Sequence, residues 1–237
     1  MLSGALLAVS ALIALPAVVL SVEVLAALIR PRVRAPLGAR PRSVVLIPAH
    51  DEEQVLEATL DSVCAQLADG DRVLVVADNC SDRTAEVARS RGVEVLERFD
   101  RDKRGKGFAL TYGSDHLARQ PPEVLVIIDA DCWLGEGALD VLTRRAVGLR
   151  RPVQADNLSL PAEKTARSAV SGLAVLVRNR IRPLGLRAMG FGTQMTGTGM
   201  AFPWEQWRRV PGLEGFLAED LLLGVGSACG GTLRASP

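Results

Sequence analysis

The sequence predicts an α/β fold, a mostly parallel sheet with flanking helices, preceded by one N-terminal transmembrane helix. Three observations predict it. Apolar runs of strand length recur at 43–48, 71–77 and 124–129. Stretches with helical apolar spacing separate them, and one long apolar segment opens the chain. Strands alternating with helices at these lengths form parallel sheets covered on both faces.

From Leu2 to Ile29 the only charged residue is Glu23. At a rise of 1.5 Å per residue, about 20 apolar residues cross a bilayer core, so 1–29 suits a transmembrane anchor. Glu23 lies near the end, within reach of headgroups, and Pro16 is tolerated in a membrane helix. A cleaved signal peptide is the competing reading, but no basic residue precedes the run and the run is too long. Arg30, Arg32, Arg34, Arg40 and Arg42 follow it. By the positive-inside rule that side faces the cytoplasm, giving a single-pass protein of the cytoplasmic (inner) membrane. Residues 30–42 then read as a basic juxtamembrane linker that touches anionic lipid.

Residues 43–48 form a β-branched strand closed by Pro48. Between Asp51 and Leu67, the apolar residues Val55, Leu56, Leu60, Val63, Cys64 and Leu67 carry helical spacing. Residues 71–77 are the second strand. Ser81 or Asp82 caps a helix that stops at Gly92. A shorter strand at 93–96, a helix at 107–117 and a strongly apolar, central strand at 124–129 follow. Residues 165–178 read as an apolar helix, and 185–199, with five glycines, as loop.

Composition narrows the chemistry. Lys and Arg number 28 against 27 for Asp and Glu, so no concentrated basic face marks a nucleic-acid binder. Cys64, Cys80, Cys132 and Cys229 form no C-x-x-C pair, and His50 and His116 stand apart. A disulfide framework or zinc site is not expected, a reducing compartment fits, and any metal would be held by carboxylates.

Ligands of parallel sheets bind at the carboxyl ends of the strands. That rule selects Pro48 to Glu52, Asp78 with Asn79, and Asp129 to Asp131. Asp129 and Asp131 stand at i and i+2, so both carboxylates can face one site. Two hard oxygen donors suit Mg2+ or Mn2+ beside a diphosphate; the plain alternative is a solvated strand end. Asp78 can accept from a ribose or base, or serve as an N-cap. Asp51, Glu52 and Glu53 combine helix-start preference with a nucleotide contact. Lys106, in the turn Arg104-Gly105-Lys106-Gly107, can hold phosphate at a helix start, although a charge run of this kind also serves as a solvated loop. Glu219-Asp220 before 221–223 is a helix first turn or carries a general base, Asp220.

Together these segments resemble family 2 glycosyltransferases, the inverting enzymes with a GT-A (Rossmann-like) fold. Val45 to Glu53 is similar to that family's first strand and nucleotide loop, Val76 to Thr84 to its second, and Arg104 to Gly107 to its lysine loop. Asp129-Ala130-Asp131 is similar to the metal motif, Gly197-Thr198-Gly199-Met200 to the acceptor-side glycine segment, and Glu219-Asp220 to the E-D pair. Six segments occur in the family's order over about 43–224. The resemblance implies that Pro48, Ala49, Asp51, Glu52, Asp78, Asn79 and Lys106 hold a UDP- or GDP-sugar donor. Asp129 and Asp131 would bind diphosphate and metal, with Asp131 the first choice as direct ligand. Gly197, Thr198, Gly199 and Glu219 would face the acceptor, lipid-linked or a polysaccharide, and Asp220 would deprotonate its hydroxyl for inverting displacement.

The expected domains are the anchor at 1–29, the linker at 30–42, the glycosyltransferase domain at 43–226 and an atypical tail at 227–237. The tail departs from the family, with no helical period, no R-W pair and no second anchor, and reads as a truncated or frameshifted end. Two alternatives stay open: a nucleotidyltransferase of similar fold, and a truncated, non-catalytic membrane protein that binds nucleotide.

Overall fold

The computed structural model describes residues 2–29, 39–158 and 165–210. The chain divides into two compact units, one of residues 1–33 with 156–194, the other of 34–155 with 195–237. The elements run α1 (Leu2–Ala27), β1 (Ser43–Ala49), α2 (Leu56–Cys64), β2 (Arg72–Asp78) and α3 (Thr84–Ser90). Then come β3 (Glu94–Arg98), α4 (Lys106–Leu117), β4 (Val124–Ile127), α5 (Ala138–Leu149) and β5 (Val153–Gln154). Last are α6 (Ala166–Leu176), a π-helical turn at Val177–Ile181, α7 (Arg182–Ala188), β6 (Met200–Pro203) and α8 (Trp204–Trp207).

The larger unit is built on one six-stranded sheet in the order β3-β2-β1-β4-β6-β5. β3, β2, β1 and β4 pair in parallel, and β6 runs antiparallel to both β4 and β5. Alternation along β1 explains both cores. Val45 and Ile47 join Leu56, Leu60, Val75, Val126 and Leu139 on one face. Val44 and Leu46 join Leu110, Leu117, Ile127, Phe202 and Trp207 on the other. With both faces covered, the central strands are continuous apolar runs, as buried parallel strands must be. A methyl group at Gly113 would stand 2.6 Å from Leu46 Cδ1, so the missing side chain lets α4 lie close on β1.

The order reverses between β1 and β4. Chain direction leads from β1 outward to β2 and β3 on one side and to β4 on the other. Such a switch point opens a crevice at the carboxyl ends of the strands.

Boundaries differ from the sequence reading in four places. The predicted helix from Asp51 starts only at Leu56, because Asp51 takes a left-handed conformation at φ 54°. The last strand run ends at Ile127, and Ile128 continues the ladder through its amide to Leu46 O at 3.2 Å. The stretch at 185–199 is not all loop: Gly185 lies inside α7. β6 and α5 complete the sheet unit from sequence that carried no strand or helix expectation.

In the smaller unit, α1 is long and apolar enough to cross a membrane, with mean hydropathy 2.2 over Ser10–Ala27. Its one acid, Glu23, is buried and accepts from Arg182 Nε at 2.5 Å and Nη2 at 3.2 Å. A methyl group at Gly185 would stand 1.9 Å from Glu23 O, so α7 approaches α1 backbone to backbone there. Residues 156–194, inside the 43–226 span expected for one domain, group with α1.

Candidate active site

The crevice at the switch point has a volume of about 330 Å³. Each wall comes from a strand end. Pro48, Ala49, His50 and Glu52 follow β1, Asp78 and Asn79 close β2, and Asp129 to Asp131 follow β4. Arg104, Gly105 and Lys106 reach in from the start of α4. Every donor and metal residue expected from sequence lines this crevice except Asp51.

Asp51 instead braces the wall. Its carboxylate accepts from Ser81 N at 2.6 Å and Asp82 N at 3.3 Å. The backbone bond from Ser81 holds the Asp51 carboxyl below its ordinary range, against a smaller opposing effect of burial. The opposite loop answers: Glu53 N donates to Asp82 Oδ2 at 3.0 Å, and Glu52 N to Thr84 Oγ1 at 2.8 Å. The left-handed residues Asp51 and Asn79, at φ 54° and 53°, turn both loops over the sheet edge. Aspartate and asparagine tolerate that conformation better than other side chains.

Asp78 is buried and paired with Arg98 Nη1 at 2.6 Å, with Asn79 Nδ2 at 3.1 Å. Arg98 also bonds Lys103 O at 2.7 Å, tying the β2 end to the lysine loop. Sequence reasoning missed Arg98, since one arginine at the end of a short strand carries no motif.

The β4 end is built around Asp129. Its amide donates to Thr198 Oγ1 at 2.9 Å, and its carboxylate pairs with Lys106, which also donates to Gly197 O at 2.7 Å. Thr198 bonds the residue that follows β4 directly, and Gly197 is tied to it through Lys106. Gly197 and Gly199 take φ of 83° and 67°, which glycine alone adopts without penalty. Gln154 fixes this loop: its amide nitrogen donates to Thr198 O at 2.8 Å, and its oxygen accepts from Thr196 N at 3.0 Å. Gln154 carried no sequence signal, because its role depends on β5 meeting β6.

Asp131 differs from its neighbours. It is exposed, and it accepts from the Cys132 thiol at 3.6 Å. Oxygen and sulfur atoms of Asp129, Asp131 and Cys132 all lie within 4.8 Å of one another. Burial first, then Asp131 and Asp82, raise the Glu52 carboxyl above its ordinary value. Burial likewise raises the Cys132 thiol, so the neutral thiol leaves carboxylate oxygens as the charged donors. Hard oxygen donors beside this crevice fit Mg2+ or Mn2+. Glu219 and Asp220 lie outside the described residues.

Residues 44–151 match the family model described as Glycosyl transferase family 2. The probable glycosyltransferase YdaM of Bacillus subtilis (strain 168) is 34% identical over 113 residues, 43% of this chain and 25% of that protein. Mannosyltransferase PcManGT from Pyrobaculum calidifontis, solved in complex with GDP-Man and Mn2+, superposes with a TM-score of 0.65 at 22% identity. That superposition covers 94% of this chain and 62% of the mannosyltransferase. The chain thus spans a quarter of the first relative and less than two thirds of the second. The shared fold is GT-A, and residues 44–151 are similar to family 2 glycosyltransferases.

Proposed function

We propose that this chain transfers a sugar from a UDP- or GDP-sugar to an acceptor hydroxyl, with inversion at the anomeric carbon. The observation that carries the proposal is convergence: Glu52, Asp78, Lys106, Asp129 and Asp131 line one crevice at the switch point. The GDP-Man and Mn2+ in the PcManGT complex support the same donor and ion classes here.

In this reading the loops after β1 and β2 hold the nucleoside, with Ala49 and Asn79 against it. Lys106 and Arg104 face the diphosphate. Asp131, with Asp129, holds Mg2+ or Mn2+, which when bound supplies positive charge to the leaving diphosphate. Gly197 to Gly199 and Glu219 serve the acceptor, and Asp220 takes the proton from its hydroxyl. The span in α1 holds the chain in the cytoplasmic membrane with the sheet unit in the cytoplasm. A lipid-linked or growing polysaccharide acceptor fits that placement.

Thermal unfolding with UDP, GDP and their sugar conjugates, with and without Mn2+, tests the site. A ligand at about 100 times its Kd stabilises by roughly 2.7 kcal/mol. Stabilisation is expected to need Mn2+ and to name the base; no shift with any nucleotide would refute the donor site. Product analysis then separates reaction classes. Release of a nucleoside diphosphate supports glycosyl transfer, and release of pyrophosphate means nucleotidyl transfer. Asp220→Asn should abolish transfer while leaving donor binding nearly intact, and full activity in that variant removes Asp220 from the mechanism.

A further inference from the structure

α2 presents a polar edge to the segment that carries Asp131. Thr59 and Ser62 are buried in α2, and Gln66 follows just past its end. At i, i+3 and i+7 the three share one side of the helix. Each is bonded to the segment after β4. Thr59 Oγ1 donates to Ala130 O at 2.7 Å, and Ser62 Oγ accepts from Leu134 N at 3.0 Å. Gln66 Nε2 donates to Leu134 O at 3.0 Å, while its Oε1 accepts from Leu139 N at 3.2 Å. Threonine and serine inside a helix ordinarily return their hydroxyls to a carbonyl one turn back. Ser62 does so, to Thr59 O at 2.8 Å, and still accepts the Leu134 amide. Thr59 sends its hydroxyl to a residue 71 positions away.

The ties fall at two points of the chain, Ala130 and Leu134, both buried. Only Asp131, Cys132 and Trp133 lie between them, and Asp131 and Trp133 are exposed. The segment is an arch with both feet on α2, and Asp131, within it, lines the crevice. Ahead of the first foot, Asp129 N is held by Thr198 Oγ1, and Cys132 N closes a turn on Asp129 O at 3.1 Å. A carboxylate on backbone fixed this closely on both sides has little freedom beyond its own side-chain rotation. A metal site gains affinity when the groups behind its ligands hold them in place before the ion arrives.

We infer that Thr59 and Ser62 are positioning residues for the divalent cation, setting the Asp129 and Asp131 carboxylates through the backbone of this arch. The inference rests on the metal reading of those two acids proposed above. Each hydroxyl acts through a main-chain group, so it governs where the ligands stand and not their charge.

Electron paramagnetic resonance of Mn2+, which reads the free ion, tests this on the whole chain in detergent, with GDP, with UDP and with neither. Thr59→Val keeps the shape of the side chain and removes the hydroxyl. It should weaken Mn2+ binding about tenfold, the lower end of the loss when an outer-shell partner of a metal ligand is removed. Ser62→Ala should act in the same direction, and it carries the same test where Thr59→Val does not fold. Thr59→Ser retains the bond and should bind as the wild type does. Thr143→Val is the control. Thr143 is as deeply buried, but its hydroxyl donates to Leu139 O at 2.8 Å inside α5, so its loss should lower the melting temperature and leave Mn2+ binding unchanged. Wild-type affinity in folded Thr59→Val would reduce Thr59 to a packing residue and overturn the inference. An equal loss in Thr143→Val would show that general loosening, not the arch, governs the site, and would also overturn it. No Mn2+ binding by the wild type under any of the three conditions refutes the metal reading itself and takes the inference with it.

Discussion

The acids around the ends of β1 and β2 and Asp131, three residues past Ile128, stand at the same edge of the sheet but are bonded in opposite ways. Asp51, Asp78 and Asp82 are occupied by the protein itself: Asp51 by two loop amides, Asp78 by Arg98, and Asp82 by Thr84 N at 2.9 Å. Asp131 is exposed, with a long bond from a thiol. Carboxylates saturated by protein donors shape a wall, whereas an open carboxylate is available to a cation. The comparison teaches that an acid's position past a strand end does not by itself assign it to the ligand; its bonding decides.

Asp131→Ala should break that comparison most visibly. Loss of an outer-shell partner of a metal site costs about 10–100-fold, so loss of a direct ligand should lower transfer by more than about a hundredfold. Stability should stay within about 0.5 kcal/mol, as for a surface substitution. Steady-state transfer and urea unfolding of the same variant check both halves. An equal loss in both would make Asp131 a wall residue like the others.

Arg98→Met is the converse. It leaves Asp78 buried without its cation, and removing one partner of a buried pair costs about 3–5 kcal/mol. Asn79 Nδ2 still donates to Asp78, so the loss should fall near the lower end. Urea unfolding measures it. A change under about 0.5 kcal/mol, the surface range, would mean the pair does not hold the β2 loop.

How much of this was legible follows from the same contrast. The central strands could be read because burial on both faces forces continuous apolar runs, as in Val44 to Ile47. The crevice could be read because strand ends lie where the runs stop. The bonding could not. Asp51 and Glu52 are adjacent acids, yet one braces Ser81 and the other lines the crevice, and only the left-handed turn at Asp51 separates them. Gln154 and Arg98 escaped notice because their partners lie 44 and 20 residues away. α7 was read partly as loop because Gly185 looks like a breaker, although its purpose is contact with Glu23 O.

The glycine loop beside Asp129 offers a smaller effect. Gly199 sits at φ 67°, and a methyl group there would stand 2.9 Å from Ala155 Cβ. Gly199→Ala should cost about 1–2 kcal/mol from the left-handed conformation, with a further loss of donor affinity if Thr198 shifts from the Asp129 amide. Thermal unfolding with and without nucleotide separates the two. Unchanged stability would show that the loop relaxes freely and does not fix the β4 end.

The smallest expected effect concerns pH and the wall acid. The Asp51 carboxyl is held below its usual value of 3.8, chiefly by the Ser81 amide. A depressed folded-state value means that the ionised form binds the fold more tightly than the unfolded chain. The resulting stability is complete above the unfolded value and is lost as pH falls through the folded one. Asp51→Asn removes that charge while keeping the shape of the side chain. The wild type should therefore melt higher than the variant at neutral pH, and the gap should narrow as pH falls below 3.8 and close once it has passed through the lowered folded-state value. Asp131→Asn, by contrast, should leave the melting temperature nearly unchanged at both pH values. Thermal unfolding of the three proteins at the two pH values makes the comparison, and a gap for Asp51→Asn that persists in acid would show that its carboxylate acts through shape, not charge.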